Sequence, residues 1–176
     1  KNAKQTILQH GISVWIYFKQ LYRFMKSNEQ TYQYPIPKWF LDHKDFLLPH
    51  IENNLEDIKK YLIFHDCGKP FCLTEDEKGQ HFKNHAQISK ETYIACWGNG
   101  LISELIGDDM LCYITKPKDF ETLLDNPKIE ILLCAALAEM HSNAKMFGGF
   151  DSDSFKIKFK NYDKLGCRIL NAKNKQ

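Results

Sequence analysis

The chain has 176 residues, 43% of them hydrophobic and 26% charged, and its 24 Lys and Arg nearly balance 22 Asp and Glu to leave a formal charge of +2. That length suits one domain over residues 1–176, since a second would leave both halves small. The charge names no partner, and no segment approaches the roughly 18 uninterrupted apolar residues of a membrane span.

From Thr6 to about Lys26, the residues Ile7, Val14, Phe18, Leu21 and Met25 recur at helical spacing and predict one long amphipathic helix with His10 on the same stripe. "NEQTYQYPIPKWF" carries two prolines one residue apart, which predicts an aromatic loop packed over the body. Ile51, Leu55, Ile58, Leu62 and His65 predict a second helix from Leu48 or Ile51 to His65, ended at "CGKP" because Gly permits a left-handed cap and Pro cannot continue a helix. After a polar loop, "LTEDEKGQ", a third helix is expected from about Asn84 and a shorter fourth in "GNGLISELIGDDMLCYIT". "PKIEILLCAALAEMHSNAKMF" reads as a central helix with Pro127 in its first turn. A basic helix from about Ser154 to Ala172, capped by Asp151 or Ser152, closes the chain. With no useful β-alternation and no internal repeat, the expected fold class is all-α, a bundle of about six helices.

Lys156, Lys158, Lys160, Lys164, Lys173 and Lys175 cluster near the C-terminus, as a polyanion site or simply as a solvated face. Cys67, Cys72, Cys96, Cys112, Cys134 and Cys167 include no C-x-x-C pair, and several fall in apolar helical stretches, where free thiols behave as small hydrophobes. A reducing, cytoplasmic setting is the simplest expectation. The polar start "KNAKQT" does not read as a signal peptide, and without an initiator Met further residues are expected ahead of it.

The stretch "LIFHDCGKP" sets His65 and Asp66 side by side at an apolar helix end and breaks the helix directly after them. Neighbours on a helix point about 100° apart, so two such side chains converge only near a helix end. A shared cation would explain the pairing, because imidazole and carboxylate together suit first-row divalent metals. The alternative is structural: His65 complements the helix dipole and Asp66 caps the turn.

"HDCGKP" followed by "DEKGQHFKNHAQIS" resembles the HD-domain metal-dependent phosphohydrolase superfamily, in particular the HD modules of CCA-adding tRNA nucleotidyltransferases and related stand-alone proteins. The matching residues, in order, are His10 in "LQHGISVW", His65 and Asp66, Gly79 with Phe82 and His85, and a late acid. The resemblance covers about residues 6–145. It implies an HD-domain bundle in which His10, His65, Asp66 and the late carboxylate hold a divalent metal. That carboxylate is placed at Glu139, with Asp163 in "KNYDKLG" as the alternative, since some relatives carry it on a later helix. In "LIGDDML", Asp108 and Asp109 stand where many relatives have histidines for a second metal.

The resemblance also implies catalytic roles for Lys69, which follows the doublet either to meet a phosphate oxygen or as a solvated lysine beside the turn, for His85, at a leaving oxygen or a second metal, and for Asp109. His141 lies about 200° around the helix from Glu139 and points elsewhere, His81 is expected exposed, and His43 and His50 structural. Trp15, Trp39, Trp97, Tyr32 and Tyr34 either stack a base or pack as core and lid. The implied function is hydrolysis of phosphomonoesters or phosphodiesters, foremost nucleotides or RNA ends, by water activated on Mn, Fe, Co, Ni, Zn or Mg. The expected partner is a phosphate-containing small molecule or an RNA end, with no membrane. The alternative is a non-catalytic HD scaffold that binds a nucleotide or protein partner around a structural metal.

Overall fold

The computed structural model describes residues 5–27, 32–114 and 120–174. Helix α1 (Ile7–Lys26) opens on a capping box in which Thr6 Oγ1 accepts from Gln9 N while Thr6 N donates to Gln9 Oε1. Its inward stripe, Val14, Phe18 and Leu21, is fully buried, each side chain contributing about 1.5–3 kcal/mol of transfer free energy. Helices α2 (Lys38–Glu52) and α3 (Leu55–Phe64) follow, then a short hairpin of β1 (Leu73–Asp76) and β2 (Gly79–Phe82) in antiparallel register, Leu73 facing Phe82. The remaining helices are α4 (His85–Trp97), α5 (Leu101–Asp108), α6 (Leu111–Ile114), α7 (Phe120–Leu124), α8 (Ile129–Ser142) and α9 (Asp153–Lys173).

Helix α8 is buried on nearly every side, as its unbroken apolar run requires. It lies along α1, and the pair is tied at one end by the Ser13 and Ser142 hydroxyls, 2.9 Å apart and 129 residues apart in sequence. Helix α3 packs on the other flank of α1, and α9 covers α2. One continuous cluster of buried apolar side chains runs through these elements.

The all-α class holds, but the count of about six helices does not, because the chain forms more and shorter segments. The expected helix up to His65 is divided at Asn53 and Asn54. Asn54 Nδ2 takes the His50 carbonyl at 2.9 Å, the acceptor a continuing helix would give to the Asn54 N–H, so the side chain displaces the backbone bond. The loop "LTEDEKGQ" contains β1 and runs into β2, a hairpin of two four-residue strands with one large apolar residue in each, Leu73 and Phe82, too few to show alternation. Helix α7 was not expected. Pro127 precedes α8 instead of standing in its first turn: the next residue, Lys128, is the N-cap, its N–H held by Asn126 Oδ1 at 2.9 Å. Ser152 rather than Asp151 caps α9, accepting from Phe155 N. Residues 28–31 of the aromatic loop, residue 115 of the expected fourth helix, and Lys175 lie outside the described residues. All six cysteines are free thiols, and among the described residues no helix is long and apolar enough to cross a membrane.

Candidate metal centre

His10 comes from α1, His65 from the C-cap of α3, Asp66 from the turn just beyond, and Glu139 from the last turns of α8. Two glycines bring them together. A Cβ on Gly11 would stand 2.3 Å from the Ile63 carbonyl oxygen, so only Gly lets α1 and α3 touch backbone to backbone. The His10 and His65 rings consequently sit 5.2 Å apart. A Cβ on Gly68 would stand 2.3 Å from Ser89 N. Without one, the "HDCG" turn lies directly on α4, where Gly68 N donates to Ser89 Oγ at 2.9 Å.

The helix end resolves how a His and the next residue converge. Cys67 N donates to Phe64 O at 2.9 Å and Lys69 N to Asp66 O at 3.0 Å, curling the chain so that Asp66 Oδ2 comes within 3.5 Å of His65 Nε2. His10 Nε2 lies 3.8 Å from Asp66 Oδ2 and 3.8 Å from Glu139 Oε1, and His65 Nε2 lies 4.0 Å from that same Glu139 oxygen. One ligand atom from each of His10, His65 and Glu139 falls within a mutual span of 4.8 Å.

His65 Nδ1 is bonded to the Leu62 carbonyl at 2.8 Å, which requires Nδ1 to carry the hydrogen. In the neutral ring this leaves Nε2 as a bare lone pair aimed at the carboxylates. Both His65 Nε2 and Asp66 Oδ1 are buried without a hydrogen-bond partner, a costly arrangement unless something else satisfies them. The other Asp66 oxygen is paired with Lys69 Nζ.

Negative charge accumulates here. Burial pulls the His65 imidazole toward neutrality, yet Asp66, Asp109 and Glu139 overcome it and push its pKa up to about 9. Burial opposes ionisation of Asp66, but His65 and Lys69 win and hold it below the usual carboxylate range. For Glu139 the balance is similar, burial being outweighed by the His10 hydrogen bond and His65. Asp109 goes the other way: burial and the neighbouring Glu139 and Asp66 raise it to about 7, against His65 and a hydrogen bond from Tyr61. Two imidazoles and carboxylates around unsatisfied, negatively biased space form a donor set that fits a first-row divalent cation.

His85, first residue of α4, points Nε2 to within 3.8 Å of Asp66 Oδ1, its Nδ1 set by the Phe82 carbonyl at 3.1 Å. Asp109 is 7% exposed, accepts from Tyr61 at 2.5 Å, and lies close enough to His65, Glu139 and Asp66 to feel their charges. Asp108 points to the surface, bonded to Asn126 at 2.9 Å. Asp163 is remote from the cluster, its Oδ1 3.5 Å from Trp39 N in the first turn of α2.

His141 is buried, with Nε2 on the Pro35 carbonyl at 2.8 Å and Tyr34 and Phe150 beside its ring. His81 pairs with Asp76 on the hairpin, His43 contacts Asn174 at the surface, and His50 packs on Phe46. Trp39 is core, Trp15 stacks on Phe18, and Trp97 is exposed beside Tyr93 and Phe64.

Sequence reasoning did not single out Tyr61, which fixes Asp109, or Asn143, whose Nδ2 lies 3.4 Å from Glu139 Oε1. Nor did it single out Gly11, although a glycine inside a long helix beside a candidate ligand was a readable sign of close packing. The chain matches no family model, no curated protein and no solved structure.

Proposed function

We propose that the chain is an HD-type metal-dependent phosphohydrolase acting on phosphomono- or diesters, nucleotides or RNA ends among them. The observation that carries this reading is the convergence of His10, His65, Asp66 and Glu139 from three separate elements, with His65 Nε2 and Asp66 Oδ1 buried and unpartnered. A divalent cation held by these four residues supplies Lewis acidity and charge neutralisation to a phosphoester. The protein's own groups then have distinct tasks. Lys69, tethered to Asp66, offers its ammonium to a phosphoryl oxygen as negative charge grows there. His85, oriented through Phe82 O, holds Nε2 free to exchange a proton with the leaving oxygen. Asp109, the third residue assigned a catalytic role, acts through its charge on the His65 imidazole.

The scaffold alternative predicts the metal without the turnover. Elemental analysis and hydrolysis of nucleotides, cyclic nucleotides and RNA 3′-ends under Mn, Co, Ni, Zn and Mg separate the two. Wild-type protein should carry about one divalent ion per chain, and His65→Ala or Asp66→Ala should remove most of it. Lys69→Ala and His85→Ala should keep the metal yet slow turnover roughly 10²-fold or more. Full occupancy in both ligand variants ends the shared-site reading; a metal-loaded wild type that hydrolyses none of the panel leaves the scaffold.

A further inference from the structure

A cleft of about 650 Å³ runs from α6 across α8 to α9 and is separate from the candidate metal centre, with Glu139 the one residue common to both. Its volume suits a small organic ligand. Most of the wall is apolar: Met110, Met140, Leu165 and Phe147 contribute thioether, alkyl and ring surface. Three further wall residues withhold their polar atoms. Tyr113 and Tyr162 donate their hydroxyls to the Ala136 and Leu133 carbonyls, and burial pushes the Cys112 thiol up to about 12, so it stays neutral and behaves as a small hydrophobe. Charge is confined to two places. Burial opposes ionisation of Glu139, but the His10 hydrogen bond and His65 keep it charged. Lys158 on α9 is exposed and pairs with no carboxylate among the described residues; its ammonium rests 4.8 Å from the centre of the Phe147 ring, which holds it beside the cleft. Asn161 adds a carboxamide on the same helix.

We propose that this cleft binds an apolar monocarboxylate, a free acid with an aliphatic or aryl body, its head at Lys158 and Asn161 and its body on the thioether, alkyl and ring wall. Such a wall accepts hydrocarbon without demanding one shape, and taking that hydrocarbon out of water drives the binding. One ammonium and one carboxamide match the single charge and two oxygens of a carboxylate, whereas no arginine fork lines the cleft to hold a dianion. The Glu139 charge repels an anionic head, so the acid enters in one orientation, head toward α9. The site calls on no cation and no phosphoester, and it stands independently of the phosphohydrolase reading.

Calorimetric titration of the full chain with octanoate and hydrocinnamate, with the corresponding alcohols, and with acetate tests it. Acetate reports the carboxylate alone, including any that binds at a cation, and the alcohols report the body alone. At least one of the two acids should bind roughly tenfold or more tighter than acetate, the scale of burying a few methylene groups. That acid should also bind about threefold or more tighter than its alcohol, the scale of one exposed ion pair. Lys158→Ala should remove the advantage over the alcohol, and Leu165→Trp, which fills the cleft, should weaken acid and alcohol alike in protein that retains the wild-type circular dichroism spectrum. Lys158 is exposed, so its variant keeps the test open should Leu165→Trp fail to fold. Acids that bind no better than acetate, a Lys158→Ala protein that still prefers the acid to its alcohol, or a folded Leu165→Trp protein that binds the acid at least as tightly as wild type overturns the assignment.

Discussion

Replacing Gly11 with Ala tests whether the contact between α1 and α3 sets the candidate metal centre. The new methyl would lie 2.3 Å from Ile63 O and 2.8 Å from Ile63 Cα, both backbone atoms that cannot swing aside. Carbon and carbonyl oxygen settle at roughly 3.3 Å, so the helices must part by about 1 Å at that point. His10, the preceding residue, moves with α1, and its Nε2 now stands 3.8 Å from both Asp66 Oδ2 and Glu139 Oε1. Metal–ligand distances tolerate only about 0.2 Å, so the site should lose His10 and metal affinity should fall at least tenfold.

Global stability should change less. Overpacking costs about 1–3 kcal/mol, and the better helix propensity of Ala returns about 1 kcal/mol, so melting should drop by only a few degrees. Calorimetric titration with Mn, Co or Zn alongside a thermal melt reads both quantities. A Gly11→Ala protein that melts higher than wild type and binds metal equally well would refute the reasoning, because it would behave as an ordinary exposed helical glycine.

Glu139→Gln should lower metal affinity more than tenfold, as seen by titration, whereas Asp163→Asn should leave it unchanged and lose about 0.5–1 kcal/mol of stability in urea, since Asp163 serves the start of α2. His141 supplies a pH prediction. Burial holds its folded pKa down at about 4 against an ordinary 6.5, so the unfolded chain binds the extra proton first, and stability must fall as pH drops from about 6.5 toward 4. The loss approaches about 3 kcal/mol at pH 4. Urea denaturation of wild type and His141→Gln across that range should show this slope in the former and a flatter one in the latter.

Much of this was legible because helical periodicity reports burial directly. The α1 stripe and the α8 run lie close to their expected limits, whereas the preference for Glu139 over Asp163 comes from the resemblance to the HD-domain helix that carries the late acid, not from periodicity. What escaped was set by single side chains acting on backbone. Asn54 cuts a helix by taking the His50 carbonyl, a choice periodicity does not encode, because Ile51, Leu55 and Ile58 keep their spacing across the break. The hairpin escaped because each four-residue strand carries a single large apolar residue, Leu73 or Phe82. Asp109 illustrates the site itself: its neighbour in sequence, Asp108, faces solvent, and only the fold shows that Asp109 turns inward to Tyr61.

The pairing of α1 with α8 has a consequence for how the chain comes off the ribosome. Val14, Phe18 and Leu21 are made early, but their partner helix is translated more than a hundred residues later, as the 129-residue span between Ser13 and Ser142 records. At roughly 5–20 residues per second, α1 waits several seconds with its apolar stripe uncovered. The nascent chain is therefore most exposed to aggregation and to chaperone capture in that interval. His10, His65 and Asp66 are likewise made long before Glu139, so the candidate metal centre is completed only by the same helix that closes the core.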